Sequence, residues 1–270
     1  MTLNHLLQSA RTPLLRALSA LLLLSPAALA GGAGGLGTSN PGVNAITAPG
    51  RSGAAWLDLA LKAHGGAALR NLKTYRETGT VTIFGPNAQV LLTGQSLAVI
   101  DQAQRRVRTT IRAGEQLISD EILTPGGAVG YTEKDGELPL PRDNAQNLED
   151  NLYSALAGLS LGGSQRQHIT VLGKQTWIGT SGTAVEVLTQ KTLTTYLLAD
   201  DGTYLGERRD VAGAGTITVL NSKFQTFEGV KVPVVSIAYL PNGDKLIEAT
   251  SGKVEINPVL SDADFAFPKE

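Results

Sequence analysis

The chain has 270 residues, of which 42% are hydrophobic, with 31 glycines, 12 prolines and no cysteine, and its formal net charge is −1. This length is ample for one all-β domain with a sizeable core. The mildly acidic balance gives no basic footprint for nucleic acid or anionic lipid, and the lack of cysteine excludes disulfides, thiolate catalysis, zinc–cysteine sites and a lipid-modified N-terminal cysteine.

Residues 1–30 have the pattern of a signal peptide. Arg11 and Arg16 precede a short apolar run, Ala17–Leu24, and Ala28-Leu29-Ala30 is the small-x-small pattern after which signal peptidase cleaves. The apolar run is shorter than the ~20 residues that a membrane-spanning helix needs. We therefore expect an exported product, periplasmic or otherwise outside the cytoplasmic membrane, that is soluble after cleavage near Ala30.

Residues 31–50 are rich in glycine and nearly uncharged, which predicts a flexible leader before a single domain over residues 51–270. Within the leader, Gly32–Gly37 matches the dinucleotide fingerprint G-x-G-x-x-G. That fingerprint requires a strand before it and a helix after it, whereas a signal peptide precedes it here and a linker follows. No cofactor is predicted.

Two main helices are predicted in the domain. The first, Ser52–His64, ends at Gly65-Gly66 and places on one face Trp56, Leu59, Ala60 and Ala63. Ala67–Leu72 could add one further turn. The second, Arg142–Gly158, carries an apolar stripe of Leu148, Leu152, Ala155, Leu156 and Leu159, which we expect to pack on a sheet.

In most of the remaining domain, apolar and polar residues alternate along segments that are separated by turn residues. This pattern is typical of antiparallel strands. Five segments precede the second helix: Lys73–Phe84, Val90–Ile100, Arg106–Arg112, Gln116–Leu123 and Ala128–Glu133. Seven follow it: Ile169–Trp177, Thr183–Gln190, Thr192–Ala199, Tyr204–Val211, Thr216–Phe227, Val232–Leu240 and Asp244–Asn257. A meander of this length curls. The predicted fold is mainly β (α+β): a single open antiparallel β-barrel of about eleven strands with two or three helices as a lid.

A curved sheet under a lid leaves an apolar cleft between them, and we take the inward-facing apolar residues as the candidate ligand-binding site. The lid candidates are Trp56, Leu59, Leu152 and Leu156. The wall candidates are Val81, Ile83, Leu92, Val107, Ile111, Val185, Val187, Tyr196 and Leu198. The alternative is that these residues only fill the core.

Residues that could support catalysis are few. Gly158–Gly162 matches the hydrolase elbow G-x-S-x-G, but the elbow needs the order strand, turn, helix, and here a helix precedes the serine. Asp200-Asp201 is best explained as a hairpin turn, and we expect Asp262 and Asp264 to lie near a frayed terminus. Three arginines alternate along one strand, Arg106–Arg112, where they could hold an anionic head group or form a solvated outer face. We predict no enzyme, no catalytic residue and no metal site.

Three motifs give the chain its resemblance to a known family. The first is a helix that ends in His64-Gly65-Gly66, followed by Leu69, Leu72, Tyr75 and the strand Gly79–Ile83. The second is Phe227–Pro233, and the third is Val254–Pro258 followed by Leu260, Asp262 and Phe265–Pro268. In their order they resemble the LolA-like family of outer-membrane lipoprotein-sorting and related envelope proteins. The resemblance implies an open β-barrel, closed by helices around a cavity for acyl chains. It also implies a functional strand arginine, for which Arg76, Arg106, Arg108 and Arg112 are all candidates.

Two functional hypotheses follow. The first is an exported non-enzymatic carrier or sensor that binds a lipid, or the acyl chain of a lipoprotein, in an apolar cleft, with a role in outer-membrane lipoprotein sorting as one expectation. Its partners would include membrane-bound envelope proteins but no nucleic acid, and we expect a monomer. The alternative is a structural or regulatory envelope module that binds a protein partner and no lipid.

Overall fold

The computed structural model describes residues 50–189 and 191–267. The predicted signal peptide and nearly all of the predicted leader lie outside the described residues. No helix in the described ranges is long and apolar enough to cross a membrane.

The described residues form thirteen strands and four α-helices. The strands are β1 (Thr74–Phe84), β2 (Val90–Asp101), β3 (Arg106–Ala113), β4 (Gln116–Thr124), β5 (Gly127–Thr132), β6 (Gly136–Pro139), β7 (Arg166–Trp177), β8 (Thr180–Thr189), β9 (Leu193–Leu198), β10 (Tyr204–Val211), β11 (Gly215–Phe227), β12 (Val230–Tyr239) and β13 (Lys245–Ile256). The helices are α1 (Gly53–Ala63), α2 (Ala67–Arg70), α3 (Arg142–Asp150) and α4 (Ala155–Ser160).

All thirteen strands belong to one antiparallel sheet, in the order β6-β5-β4-β3-β2-β1-β13-β12-β11-β10-β9-β8-β7. The first strand pairs with the last, with Tyr75 opposite Ile256. This pairing joins a six-stranded meander to a seven-stranded one. Strands β6 and β7 form the two edges and do not pair with each other, so the sheet is open. The predicted fold class is confirmed.

The count of about eleven strands was low. Each of the twelve predicted segments corresponds to a strand, with bounds that shift by up to three residues, as at the starts of β7 and β8. The missed strand is β6, whose four residues end at Pro139. Proline cannot donate to a sheet ladder and is tolerated at an edge, which is where β6 lies.

The buried face of the first helix is shifted by about one residue from the predicted one. Helix α1 buries Leu57, Ala60 and Leu61, whereas Trp56 and Leu59 are only half-buried. The buried face of α1 continues to His64, which lies just after the helix and is fully buried. A prediction that treats histidine as polar does not place His64 on the buried face. Its ring can be buried favourably only because it forms tertiary hydrogen bonds.

The second predicted helix is in fact two helices. α3 ends at Asp150 and α4 begins at Ala155, whose φ of 48° lies in the left-handed region. The backbone N–H of Ala155 donates to the carboxylate of Glu207 in β10, at 3.0 Å. A tertiary hydrogen bond thus stabilises the break, and the predicted stripe still packs into the core on both sides of it.

One main hydrophobic cluster lies between the helices and one face of the sheet, and it draws on α1 to α4 and on strands of both meanders. A smaller cluster on the opposite face contains Val99, Ile122 and Phe265. Phe265 belongs to a short 3-10 turn, Asp262–Phe265, which begins with a capping box at Ser261. The C-terminal segment is therefore packed against the sheet, and the expectation that Asp262 and Asp264 lie near a frayed end was wrong.

Candidate ligand-binding groove

The end of helix α1 is held to the sheet by His64. Its Nε2 accepts a hydrogen bond from the backbone N–H of Tyr204 at 2.9 Å, so Nε2 carries no proton. The proton is then on Nδ1, which donates to the carbonyl oxygen of Lys231 at 2.5 Å. The pKa of His64 is lowered to about 4, mainly by burial and also by the nearby Lys231 ammonium, against the opposing effects of the Lys231 carbonyl and Asp201.

Gly65 brings this helix end close to the β11–β12 turn. Its φ is +117°, and a Cβ atom there would lie 2.2 Å from the carbonyl oxygen of Gly229. Asn257 fixes the start of β1 nearby, because its Oδ1 accepts from the backbone N–H of Lys73 at 2.7 Å. The three motifs on which the family resemblance rests thus meet at one end of the sheet.

Helix α4 is held by a buried polar network on β10. Glu207 Oε2 accepts from the hydroxyl of Tyr204 at 2.8 Å as well as from the N–H of Ala155, and Oε1 lies 3.4 Å from Nε of Arg209. Burial raises the pKa of Glu207, an effect that the Arg209 charge opposes. Burial also lowers the pKa of Arg209. This network holds α4 against β10, but it places charged groups in the core, where their desolvation is unfavourable.

A second contact ties α4 to the β2–β3 turn. Gln102 Nε2 lies 3.4 Å from the carbonyl oxygen of Ala157 and 3.5 Å from Oγ of Ser160. Ser160 Oγ donates to the same carbonyl at 2.6 Å. The serine of the G-x-S-x-G motif therefore holds the end of a helix.

A groove of about 510 Å³ opens where the α2–β1 turn, the β2–β3 turn and the α4 region meet. Its lining residues are Arg70, Leu72, Lys73, Gln102, Ala103, Arg105, Leu152, Tyr153, Ser160, Leu161, Gly162 and Gln165. Leu72 and Leu152 are 6% and 3% exposed and belong to the main hydrophobic cluster. The groove therefore leads from a polar rim to the apolar seam between lid and sheet.

The structure places most of the predicted cleft residues in the main cluster. Buried members of that cluster are Val81, Ile83, Val107, Ile111, Leu152, Leu156, Val185, Val187, Tyr196 and Leu198. Trp56 and Leu92 are partly buried and pack against it. Leu59 is half-buried, and its carbonyl oxygen approaches Gly202. Of all these residues Leu152 alone lines the groove, and ligand contact by the others stays a prediction.

The carboxylates considered for catalysis serve structural contacts. Asp201 accepts from the backbone N–H of Thr203 at 2.8 Å and from its hydroxyl at 3.1 Å, and these two hydrogen bonds lower the pKa of Asp201. Asp200 pairs with Lys174. Asp262 pairs with Arg106 at 2.8 Å, and Asp264 pairs with Arg76.

The strand arginines are similarly occupied. Arg106 lies 3.0 Å from Asp101 and stacks over the ring of Phe265 at 4.2 Å. Arg108 donates two hydrogen bonds to the carboxylate of Asp120, from Nη2 at 2.7 Å and from Nε at 3.0 Å. Arg106 and Arg108 therefore bind acidic side chains and the C-terminal segment on the outer face of the sheet, and Arg112 donates to the backbone carbonyl oxygen of Glu115 at 3.3 Å. These contacts favour the structural interpretation over a head-group site.

Sequence reasoning missed the cationic rim of the groove, formed by Arg70, Lys73 and Arg105. Arg70 and Lys73 lie at the α2–β1 turn and Arg105 lies in the β2–β3 turn, and no spacing in the sequence links Arg105 to the other two. Arg105 has a φ of 53° in its turn, a conformation that is uncommon for a side chain of this size.

Neither a protein-family model nor a curated protein matches the sequence. Solved structures match it in fold. A DUF1329 family protein from Desulfovibrio piger is 11% identical, with a TM-score of 0.55 over 79% of this chain and 96% of that chain. A protein domain from Vibrio parahaemolyticus named for outer membrane lipoprotein sorting is 9% identical, with a TM-score of 0.52 over 79% and 97%. A LolA superfamily protein from Nitrosomonas europaea is 10% identical, with a TM-score of 0.52 over 76% and 98%.

Proposed function

Since this chain has the fold seen in LolA superfamily proteins, as its sequence motifs predict, we propose that it is an exported, non-enzymatic carrier or sensor. It binds a lipid, or the acyl chain of a lipoprotein, at the seam between its lid helices and its sheet. The observation that carries the proposal is the groove of about 510 Å³ that reaches Leu72 and Leu152. Ligand sites in proteins commonly have volumes of about 300–1,000 Å³.

Burial of an acyl chain supplies enough free energy without a dense set of polar contacts. Each buried CH₂ group is worth about 0.8 kcal/mol, so burial of about ten methylenes supplies about 8 kcal/mol, which corresponds to micromolar binding before association costs are subtracted. The lid is built from short helices, and α2 and α4 contact each other beside the groove. We expect further methylenes to enter where these helices meet the sheet.

The test is a titration of the purified protein with a fluorescent fatty acid, together with native mass spectrometry of protein extracted gently from cells. Ala103→Trp places a bulky ring in the groove, because Ala103 is exposed and lines it. Gln104→Trp is the matched control, since this exposed residue in the same turn does not line the groove. We expect the first variant alone to lose binding. Equal binding by both variants, or protein that is repeatedly empty and excludes the probe, would contradict the proposal.

The alternative function, an envelope module that binds a protein partner and no lipid, is favoured by a different observation. The predicted cleft residues pack against one another, while apolar side chains are exposed on and near the edge strand β7: Val171, Leu172, Leu188 and Leu193. In the described part of the chain no strand pairs with the outer side of β7, and such an edge can accept a strand from a partner. Recovery of one protein partner with no lipid bound would favour this alternative.

A further inference from the structure

The rim of the groove is strongly cationic although the whole chain is slightly acidic. Arg70, Lys73 and Arg105 all line it, and none of its described lining residues is acidic. Glu149 on α3, which does not line the groove, contacts both Arg105 and Lys191. The formal net charge of −1 therefore conceals a local concentration of positive charge.

Two of these cations are unengaged. Arg70 and Lys73 are exposed, and within residues 50–189 and 191–267 neither side chain has a hydrogen-bond or ion-pair partner. Only the backbone of Lys73 is used: its N–H donates to Asn257, and its carbonyl accepts from Gln102. The backbone is fixed while the charged ends remain available to a ligand.

The groove thus combines a cationic rim with an apolar floor of Leu72, Leu152 and Tyr153. Gln102 adds an amide donor at the rim, since its weak contacts to α4 are 3.4 and 3.5 Å long. Arginine matches the oxygen geometry of phosphate through paired N–H donors, and lysine binds phosphate as a point charge. The two unengaged cations, Arg70 and Lys73, match the two charges of a phosphate monoester better than the single charge of a carboxylate, and Arg105 adds N–H donors beside its ion pair with Glu149.

We propose that the groove selects an anionic acyl lipid whose phosphate head group binds Arg70, Lys73 and Arg105 while its acyl chain lies on Leu72, Leu152 and Tyr153. This inference rests on the proposed function and names the class of lipid. A single acyl chain matches one groove of this size, and the charge at its mouth sets the selectivity.

The experiment compares four compounds below the concentration at which they form micelles, by isothermal titration calorimetry at low and moderate salt. They are lysophosphatidic acid with a palmitoyl chain, the neutral lipid monopalmitoylglycerol, palmitate, and glycerol phosphate, which has no chain. The double variant Arg70→Gln/Lys73→Gln removes the two unengaged charges. The control Lys62→Gln/Lys134→Gln removes two exposed charges that do not line the groove.

We expect lysophosphatidic acid to bind most tightly, and to lose about tenfold in affinity in the rim variant and none in the control. Its affinity should fall with added salt, while that of monopalmitoylglycerol should change little. Equal binding of the charged and neutral lipids overturns the head-group inference and leaves the proposed function standing. Palmitate binding as tightly as lysophosphatidic acid overturns the choice of phosphate. If glycerol phosphate binds as tightly as lysophosphatidic acid, the role of the acyl chain is overturned. If none of the acyl compounds binds, the proposed function itself is overturned.

Discussion

The imidazole of His64 accepts a hydrogen bond from the backbone amide of Tyr204, 140 residues later in the chain. With the second bond to the Lys231 carbonyl, both ring nitrogens are satisfied in a fully buried position. One side chain therefore connects the end of α1 to β10 and β12.

His64→Ala should destabilise the protein by about 2–4 kcal/mol, because it leaves the Tyr204 N–H unpaired and opens a cavity. Urea unfolding at neutral pH measures the free energy directly. His168→Ala is the control, since His168 is exposed on β7 and should change stability by less than about 0.5 kcal/mol. Equal effects of the two substitutions would show that the buried hydrogen bonds contribute nothing.

The stability difference between wild type and His64→Ala should shrink as the pH falls. The pKa of His64 is lowered to about 4 in the folded protein, against 6.5 for the ordinary side chain. Between these values the unfolded chain binds a proton that the folded chain does not, so acidification favours unfolding of the wild type. The loss begins near pH 6.5 and is complete below about pH 4, and it amounts to about 2 kcal/mol at pH 5. A difference that is constant from pH 7 to 5 would contradict this assignment.

Glu207→Ala should cost about 3–5 kcal/mol, because it leaves the buried Arg209 charge and the Ala155 N–H without their carboxylate partner. Glu137→Ala removes an exposed carboxylate from the edge strand β6 and should be nearly neutral. Unfolding of both variants by urea provides the comparison. Hydrogen exchange at Ala155 should also accelerate in the first variant, since its left-handed backbone conformation depends on this bond. Unchanged exchange there would mean that something else holds the break between α3 and α4.

Phe265→Ala should release the C-terminal segment from the outer face of the sheet. Phe265 is 8% exposed and lies under the Arg106 guanidinium. We expect a loss of about 2–3 kcal/mol and faster limited proteolysis after residue 257. Val259→Ala in the same segment is the control, because that side chain is 98% exposed. Identical cleavage of the two variants would show that Phe265 does not anchor the segment.

Local patterns predicted much of this fold. Alternation and turn residues located twelve of the thirteen strands, since side chains in a strand alternate between faces whatever the strand pairs with. Gly65-Gly66 correctly marked the end of α1, because glycine takes a positive φ without steric cost. The prediction of the helices failed where a hydrogen bond to a residue far away in the sequence changes the local structure. His64 extends the buried face of α1 through bonds to β10 and β12, and Glu207 interrupts the second helix at Ala155.

The sequence by itself determined the class of fold, the positions of nearly all strands and the resemblance to LolA-like proteins, because each of these depends on residues close together in the chain. Only the tertiary structure decided that β1 pairs with β13, that three separated motifs meet at one end of the sheet, and that Arg70, Lys73 and Arg105 share one groove. The physical reason is that these relationships are contacts between distant segments, and their geometry is set by the register of the sheet and the packing of the lid.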